Sequence, residues 1–275
     1  MFGAPLCTQH SLVDMPRIYS TLNEDIQAKN SLRIFYLEEE LYKKLPIDII
    51  MPTYNRRDSI GKAIDSVLQQ THPNWNLYIW DDGSSDNTKS YLNQYTSDPR
   101  IHYSHSYPNQ GVSFARNQCL NLGKSDIIAY LDSDNQWDPD YLQTICSFML
   151  SHRLKSAYLG IKLIDEEGIH GCLGQDFSWY QCLHKNYIDL NCFAHTRNQL
   201  NEMKRLWGYY FDESINRLVD WDFILRMTKN EQCKYLSLFL VNYYCGEKWE
   251  RITSSKYTKT NELERLINYI QQKHK

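Results

Sequence analysis

The sequence predicts an α/β fold, a mostly parallel central sheet flanked by helices. Three observations carry that prediction. Short apolar runs alternate with amphipathic stretches from residue 46 to about 150, each apolar run stops at a polar loop, and 275 residues suffice to bury a large core. In sheets of this kind ligands bind beyond the carboxyl ends of the strands.

The elements follow in order. "IDIIMPTYN", from Ile47, is a short apolar run closed by Pro52 and a polar loop, the pattern of a buried strand. In "DSIGKAIDSVLQQT", Ile60, Ile64, Val67 and Leu68 recur at helical spacing, with Asp58 as the expected N-cap. "NLYIWDDGSSDNTKSYLNQY" repeats the plan with a strand through Leu77 to Trp80, an acidic turn and a helix. A third strand at "RIHYSHS" precedes "GVSFARNQCLNLGK", a helix with Ala115, Cys119 and Leu122 on one face and Gly123 as C-cap. The fourth strand, "DIIAYLDSD", leads into a helix with Asp138 as N-cap and Pro139 at its first position. The loops "PTYNRRD", "DDGSSDN" and "DSDNQW" are therefore expected to share one crevice.

Flanking segments differ in pattern. Residues 1–45 read as a helical N-terminal extension, with Glu39 to Lys43 and Glu40 to Lys44 at the favourable i,i+4 order. Residues 46–255 form the main domain, and 256–275 end in the amphipathic helix "NELERLINYIQQKHK", whose Leu263, Leu266, Ile267 and Ile270 share a face. Packing on the domain is the first expectation for that helix, and weak peripheral attachment to an anionic membrane is the second.

Composition excludes some functions. A net charge of −3 with mixed signs gives no general polyanion surface, so nucleic acid is not the expected partner. The start lacks a basic region followed by a sustained apolar run, and no segment reaches the roughly 18 consecutive apolar residues of a membrane span. The expectation is a cytoplasmic chain, with the inner face of the membrane as an alternative location. Its eight cysteines then read as reduced thiols that pack as small apolar side chains. Cys182, His184, Cys192 and His195 are zinc-ligand types, but their spacing is not that of structural zinc sites.

Asp132 and Asp134 pose a sharper question. Two carboxylates two apart on extended chain point the same way and repel, unless a cation lies between them. The loop after the first strand, "MPTYNRRDS", has no Gly-x-Gly-x-x-Gly and no Walker pattern, so a nucleotide's phosphates would need another partner. A Mn²⁺ or Mg²⁺ ion held by these aspartates would serve, because hard cations are commonly shared between carboxylates and substrate phosphates.

"DIIMPTYNR", "YIWDDGSSDNT", "NQGVSFARNQCLNLGKSDIIAYLDSDNQWDPDYL" and "WGYYFDESINRLVDWDFILRM" occur in this order across residues 47 to 230. Together they resemble the family-2 inverting glycosyltransferases of the GT-A fold, a Rossmann-like nucleotide-diphospho-sugar transferase architecture. The resemblance implies that Pro52 and Tyr54 lie against the nucleotide base and that Asp82 contacts base or ribose. Arg116, Asn117 and Ser133 would line the donor site, Asp134 assisted by Asp132 would hold the metal, and Asp220 would be the general base. Trp207 and Tyr209, just before the base, are expected on the acceptor side.

Asp222 competes with Asp220 for the role of base, although positions two apart on a helix point in different directions. Two departures from the family pattern stand out. Val219 replaces a helper carboxylate before Asp220, and the segment after the last strand offers Cys245 and Glu247 where many members carry Arg-x-His, leaving Glu247 as a candidate metal ligand. The expected function is transfer of a sugar from a UDP-linked donor to a hydroxyl of a glycan or lipid-linked acceptor. A non-catalytic sugar-binding or scaffolding module of a larger synthase is the competing class. A sugar nucleotidyltransferase ranks below both, because "PTYNRRDS" lacks the glycines that would cradle a triphosphate.

Overall fold

A computed structural model describes residues 44–245 and 260–274. Nearly all of the predicted N-terminal extension, and Glu247, lie outside the described residues. The first half alternates as expected: β1 (Ile47–Thr53), α1 (Ile60–Leu68), β2 (Trp75–Asp81), α2 (Thr88–Leu92), β3 (Ile101–His105), α3 (Val112–Leu122), β4 (Ile127–Tyr130), the short β5 (Gln136–Trp137) and α4 (Tyr141–Ser151). The second half adds β6 (Ser156–Asp165), β7 (Gly168–Leu173), α5 (Trp179–His184), a 3-10 turn (Leu190–Cys192), β8 (Phe193–Thr196), α6 (Arg197–Trp207), α7 (Val219–Thr228), β9 (Cys233–Tyr244) and α8 (Thr260–His274).

One sheet runs β3-β2-β1-β4-β8-β6-β9-β5, with β7 also on β6. The pairs β3/β2, β2/β1 and β1/β4 are all parallel, which is the half the alternation predicts. β1 is buried along its whole length, and its apolar run reflects cover on both faces. Beyond β4 the sheet is mixed. β8 runs antiparallel to both β4 and β6, whereas β9 lies parallel to β6.

Local expectations needed correction at several positions. Asp58 does not cap α1, which starts at Ile60 after Ser59. Asp140 rather than Asp138 holds the N-cap position of α4. The Asp138 carboxylate instead accepts from Lys162 Nζ at 2.8 Å and Asn242 Nδ2 at 2.9 Å, tying the loop to β6 and β9. Leu122 is exposed on the outer side of α3.

Gly123 follows α3 in extended conformation, so its value lies in the missing Cβ rather than in a left-handed turn. A Cβ there would sit 2.3 Å from Asp48 Oδ2, and that buried carboxylate already accepts from Arg197 Nη2 at 2.6 Å and Ser125 Oγ at 2.6 Å. Gly123→Ala is expected to destabilise by about 2 kcal/mol in urea unfolding, the scale of overpacking a filled site. Unchanged stability would show that the ion pair yields easily.

The apolar face of α8 is used inside the molecule: Leu263 and Ile270 are buried, Leu266 and Ile267 pack on the core, and the helix lies against α5 and α7. Among the described residues no helix is long and apolar enough to cross a membrane.

Candidate active site

The carboxyl ends of β1, β2 and β4 open on one side of the sheet, and their loops are stitched to one another. Pro52 pairs in register with Trp80, and Tyr54 follows as an exposed ring. Asn55, at φ 52°, donates its backbone N–H to Ser84 Oγ at 2.8 Å and accepts from the Ser85 N–H on its side chain at 2.8 Å. Arg56 N–H reaches Thr88 Oγ1 at 3.2 Å. Gly83, at φ +85°, is required at the turn, because a Cβ would also press on the Asn109 nitrogen.

Asp82 is 2% exposed, and its carboxylate accepts from the backbone N–H groups of Gln110 and Gly111. Burial pushes its carboxyl up, opposed by these bonds. Asp82 thus ties the end of β2 to the loop that leads into α3. Asn117 is likewise committed to the fold: its amide accepts from Phe211 N–H at 2.8 Å and donates to Phe211 O at 3.0 Å and Glu213 Oε1 at 2.7 Å. Phe211 in turn stacks on Phe223, with ring centroids 4.2 Å apart. The segment before α7 is therefore anchored to α3 and to the core.

The centre of the site is Arg116. It projects from α3, is 3% exposed, and donates Nη2 to Asp132 Oδ1 at 2.8 Å and Nη1 to Asp220 Oδ1 at 2.5 Å. One guanidinium therefore spans the carboxylate at the end of β4 and the carboxylate on the first turn of α7. Both aspartates keep over a quarter of their side-chain surface exposed. Desolvation raises the Asp220 carboxyl, the Arg116 charge opposes that, and the nearby Asp132 charge adds to it.

Sequence reasoning missed the support behind Asp132. Asn191, 1% exposed, accepts from the Asp132 backbone N–H at 2.6 Å and donates to Asp132 Oδ2 at 3.0 Å and Asp189 Oδ1 at 2.8 Å. Burial of the Asp189 carboxyl, with Asp220 and Asp132 nearby, pushes it up to about 7. An Asp-x-Asn triplet before a short strand reads locally as a turn cap, and Asp189 does cap the 3-10 turn. Only the β4/β8 pairing brings it beside Asp132.

Asp220 and Asp222 point apart. Asp222 is fully buried and meets Arg226 Nε at 2.9 Å, Lys273 Nζ at 2.8 Å and His274 Nε2 at 3.0 Å. These partners hold its carboxyl well below the usual range, which leaves a poor base. Trp207 and Tyr209 attend this buried cluster. The Trp207 ring lies 5.4 Å from the His274 ring, and the Tyr209 ring 4.8 Å from the Arg226 guanidinium and 5.3 Å from the Lys273 ammonium. Their π faces serve the contact with α8. The cysteine and histidine group is dispersed into packing: His195 Nε2 lies 2.7 Å from the Tyr130 hydroxyl, and Cys192 Sγ bonds to Asp189 O.

Asp134 stands on the turn after β4, a fifth exposed, with Arg56 Nε 3.5 Å away, and Ser133 beside it is buried. Among the described residues no group of three His, Cys, Asp or Glu side chains is arranged to hold a metal ion. The donors present are hard carboxylate oxygens, and both Asp132 oxygens already accept from protein groups. This set fits a Mg²⁺ or Mn²⁺ ion bound through one or two carboxylates and completed by phosphate and water, as is usual for that chemistry.

The family model of glycosyl transferase family 2 matches residues 48–207. The chain belongs to glycosyl transferase family 2. This family-2 chain is 38% identical over 125 residues to the UDP-Glc:alpha-D-GlcNAc-diphosphoundecaprenol beta-1,3-glucosyltransferase WfgD of Escherichia coli, which covers 46% of the chain and 49% of WfgD. It is 26% identical over 216 residues to a hyaluronan synthase of Pasteurella multocida, covering 76% of the chain and 22% of that protein. It thus spans about half of WfgD and about a fifth of the synthase. Among solved structures, S. aureus TarS 1-349 in complex with UDP-GlcNAc matches with a TM-score of 0.66 at 19% identity, covering 82% of the chain and 66% of that TarS 1-349 chain. That likeness shows the fold, GT-A. The family match ends at Trp207, before Asp220, so the geometry of α7 carries the reading of that residue.

Proposed function

We propose that this family-2 glycosyltransferase moves a sugar from a UDP-linked donor to a hydroxyl of a glycan or lipid-linked acceptor with inversion, in polysaccharide biosynthesis. Asp220 is the general base, and Asp134 with Asp132 holds Mn²⁺ or Mg²⁺. One observation supports this reading above the others. Arg116 bridges Asp132, on the donor side, and Asp220, on the helix facing it, so both carboxylates keep a set separation across the crevice.

The chemistry follows from that separation. In an inverting displacement the acceptor oxygen forms a bond to the anomeric carbon while the bond to the nucleoside diphosphate breaks on the opposite face. The acceptor proton passes to an Asp220 oxygen, and the raised affinity of this carboxylate for protons suits it to that task. The diphosphate leaves with the electron pair, and Arg56 is the cation of the protein placed beside Asp134. A bound divalent ion would supply further compensation of that charge. WfgD and TarS are described with UDP-glucose and UDP-GlcNAc respectively, which favours uridine for this chain.

A thermal-shift series with UDP, GDP and dTDP, with and without Mn²⁺, tests the reading. UDP should raise Tm, and the rise should need the metal. Asp134→Ala should abolish the metal-dependent part and lower transfer a hundredfold to a thousandfold, equivalent to about 3–4 kcal/mol of transition-state stabilisation. A larger shift with GDP or dTDP would overturn the donor assignment. No turnover of any nucleotide sugar, with Asp134→Ala indistinguishable from wild type, would favour the non-catalytic module.

A further inference from the structure

We propose that Lys273 on the last turn of α8, together with His274, is a positioning residue for Asp220, so that a helix beyond the family-matched region sets the geometry of the base. The inference rests on Asp220 being the base, as read above. The segment carrying Asp220 leaves α6 at Gly208, at φ +86°, passes through Phe211 and Asp212, and enters α7 through Leu218. Leu218 is held at φ 54°, a left-handed conformation that an L side chain adopts only when its surroundings impose it. Two clamps hold the segment on either side of it.

The inner clamp is α3, where Asn117 grips Phe211 and Arg116 grips Asp220. The outer clamp is the end of α8. Lys273 Nζ lies 2.7 Å from Asp212 Oδ2 and 2.8 Å from Asp222 Oδ1, so one ammonium joins the two flanks of the loop that precedes the base. His274 adds a contact to the same Asp222 oxygen at 3.0 Å, and its backbone carbonyl accepts from Lys229 Nζ at 2.7 Å. Arg226 closes Asp222 from within α7. Asp222 and Asp220 share the first turn of α7, so the rotation that satisfies Asp222 also decides where Asp220 points.

A helix that only stabilised the domain would change Tm and leave turnover per folded molecule unchanged. Positioning predicts a different pattern. Lys273→Met keeps the aliphatic stem and removes the bridge, so kcat should fall tenfold to a hundredfold, while donor KM and the UDP thermal shift stay within about twofold. Lys273→Arg, which can span both carboxylates, should restore most of kcat. In an Asp220→Asn background, Lys273→Met should have no further effect on kcat, because the group it positions is gone.

If Lys273→Met is too unstable to assay, Asp212→Asn tests the same bridge from the loop side and should lower kcat severalfold. Unchanged kcat in folded Lys273→Met, or an equal loss in the Asp220→Asn background, would overturn the inference. Full activity of Asp220→Asn would instead overturn the reading of the base. The two failures are therefore distinguishable.

Discussion

Asp220→Asn is expected to lower transfer about a thousandfold, within the range attributed to general bases, with donor KM little changed. The amide has the size of the carboxylate and can still meet Arg116, so the fold and the donor site should survive. It cannot accept the acceptor proton. In the wild type, burial raises the Asp220 carboxyl and Arg116 only partly offsets this. Activity should therefore rise with pH along an acidic limb as the Asp220 carboxyl loses its proton, and Asp220→Asn should lose that limb. Measuring kcat and KM across pH for both proteins checks this. A variant that kept a tenth of wild-type kcat would mean that another group takes the proton. Asp222 is not that group, since its carboxylate is enclosed by Arg226, Lys273 and His274.

Arg116→Met should produce the second large effect, on stability as well as rate. Arg116 is buried, and its two carboxylate partners lose their common cation when it goes. We expect a loss of about 3 kcal/mol at pH 8, the low end for breaking a buried pair because the aspartates retain some water contact. The sign with pH is definite. Without the guanidinium the Asp220 carboxyl moves further above its unfolded value, so the penalty appears as pH rises above that value and shrinks as pH falls and the group protonates. Urea unfolding at pH 5 and pH 8 should show a smaller difference from wild type at the lower pH. Equal differences at both would mean that packing of the Arg116 stem, rather than its charge, holds this part of the molecule.

The first half of the fold was legible because its information is local. Helical spacing of Ile60, Ile64 and Val67, and the continuous apolar run of β1, reflect contacts that every parallel α/β layer imposes on its own sequence. Caps were less legible: Asp138 and Asp140 are chemically alike, and the choice between them depends on Lys162 and Asn242, which arrive from distant strands to hold Asp138. The order of β8, β6 and β9 left no local trace, since antiparallel insertion of β8 is decided by which edges remain open once β4 is placed.

The family and the parallel half of the sheet were legible in the sequence alone, as was the presence of carboxylates at 132, 134 and 220, because residue type and ordered motifs already specify them. Tertiary structure decided which neighbours those carboxylates meet. It turned Asp82 and Asn117 toward loops, brought Asn191 behind Asp132, and set Asp220 on Arg116 while enclosing Asp222 with the end of α8. The physical reason is that a carboxylate's role is fixed by the charges and donors around it. Those neighbours come from residues tens to more than a hundred positions away, and only folding brings them within hydrogen-bond reach.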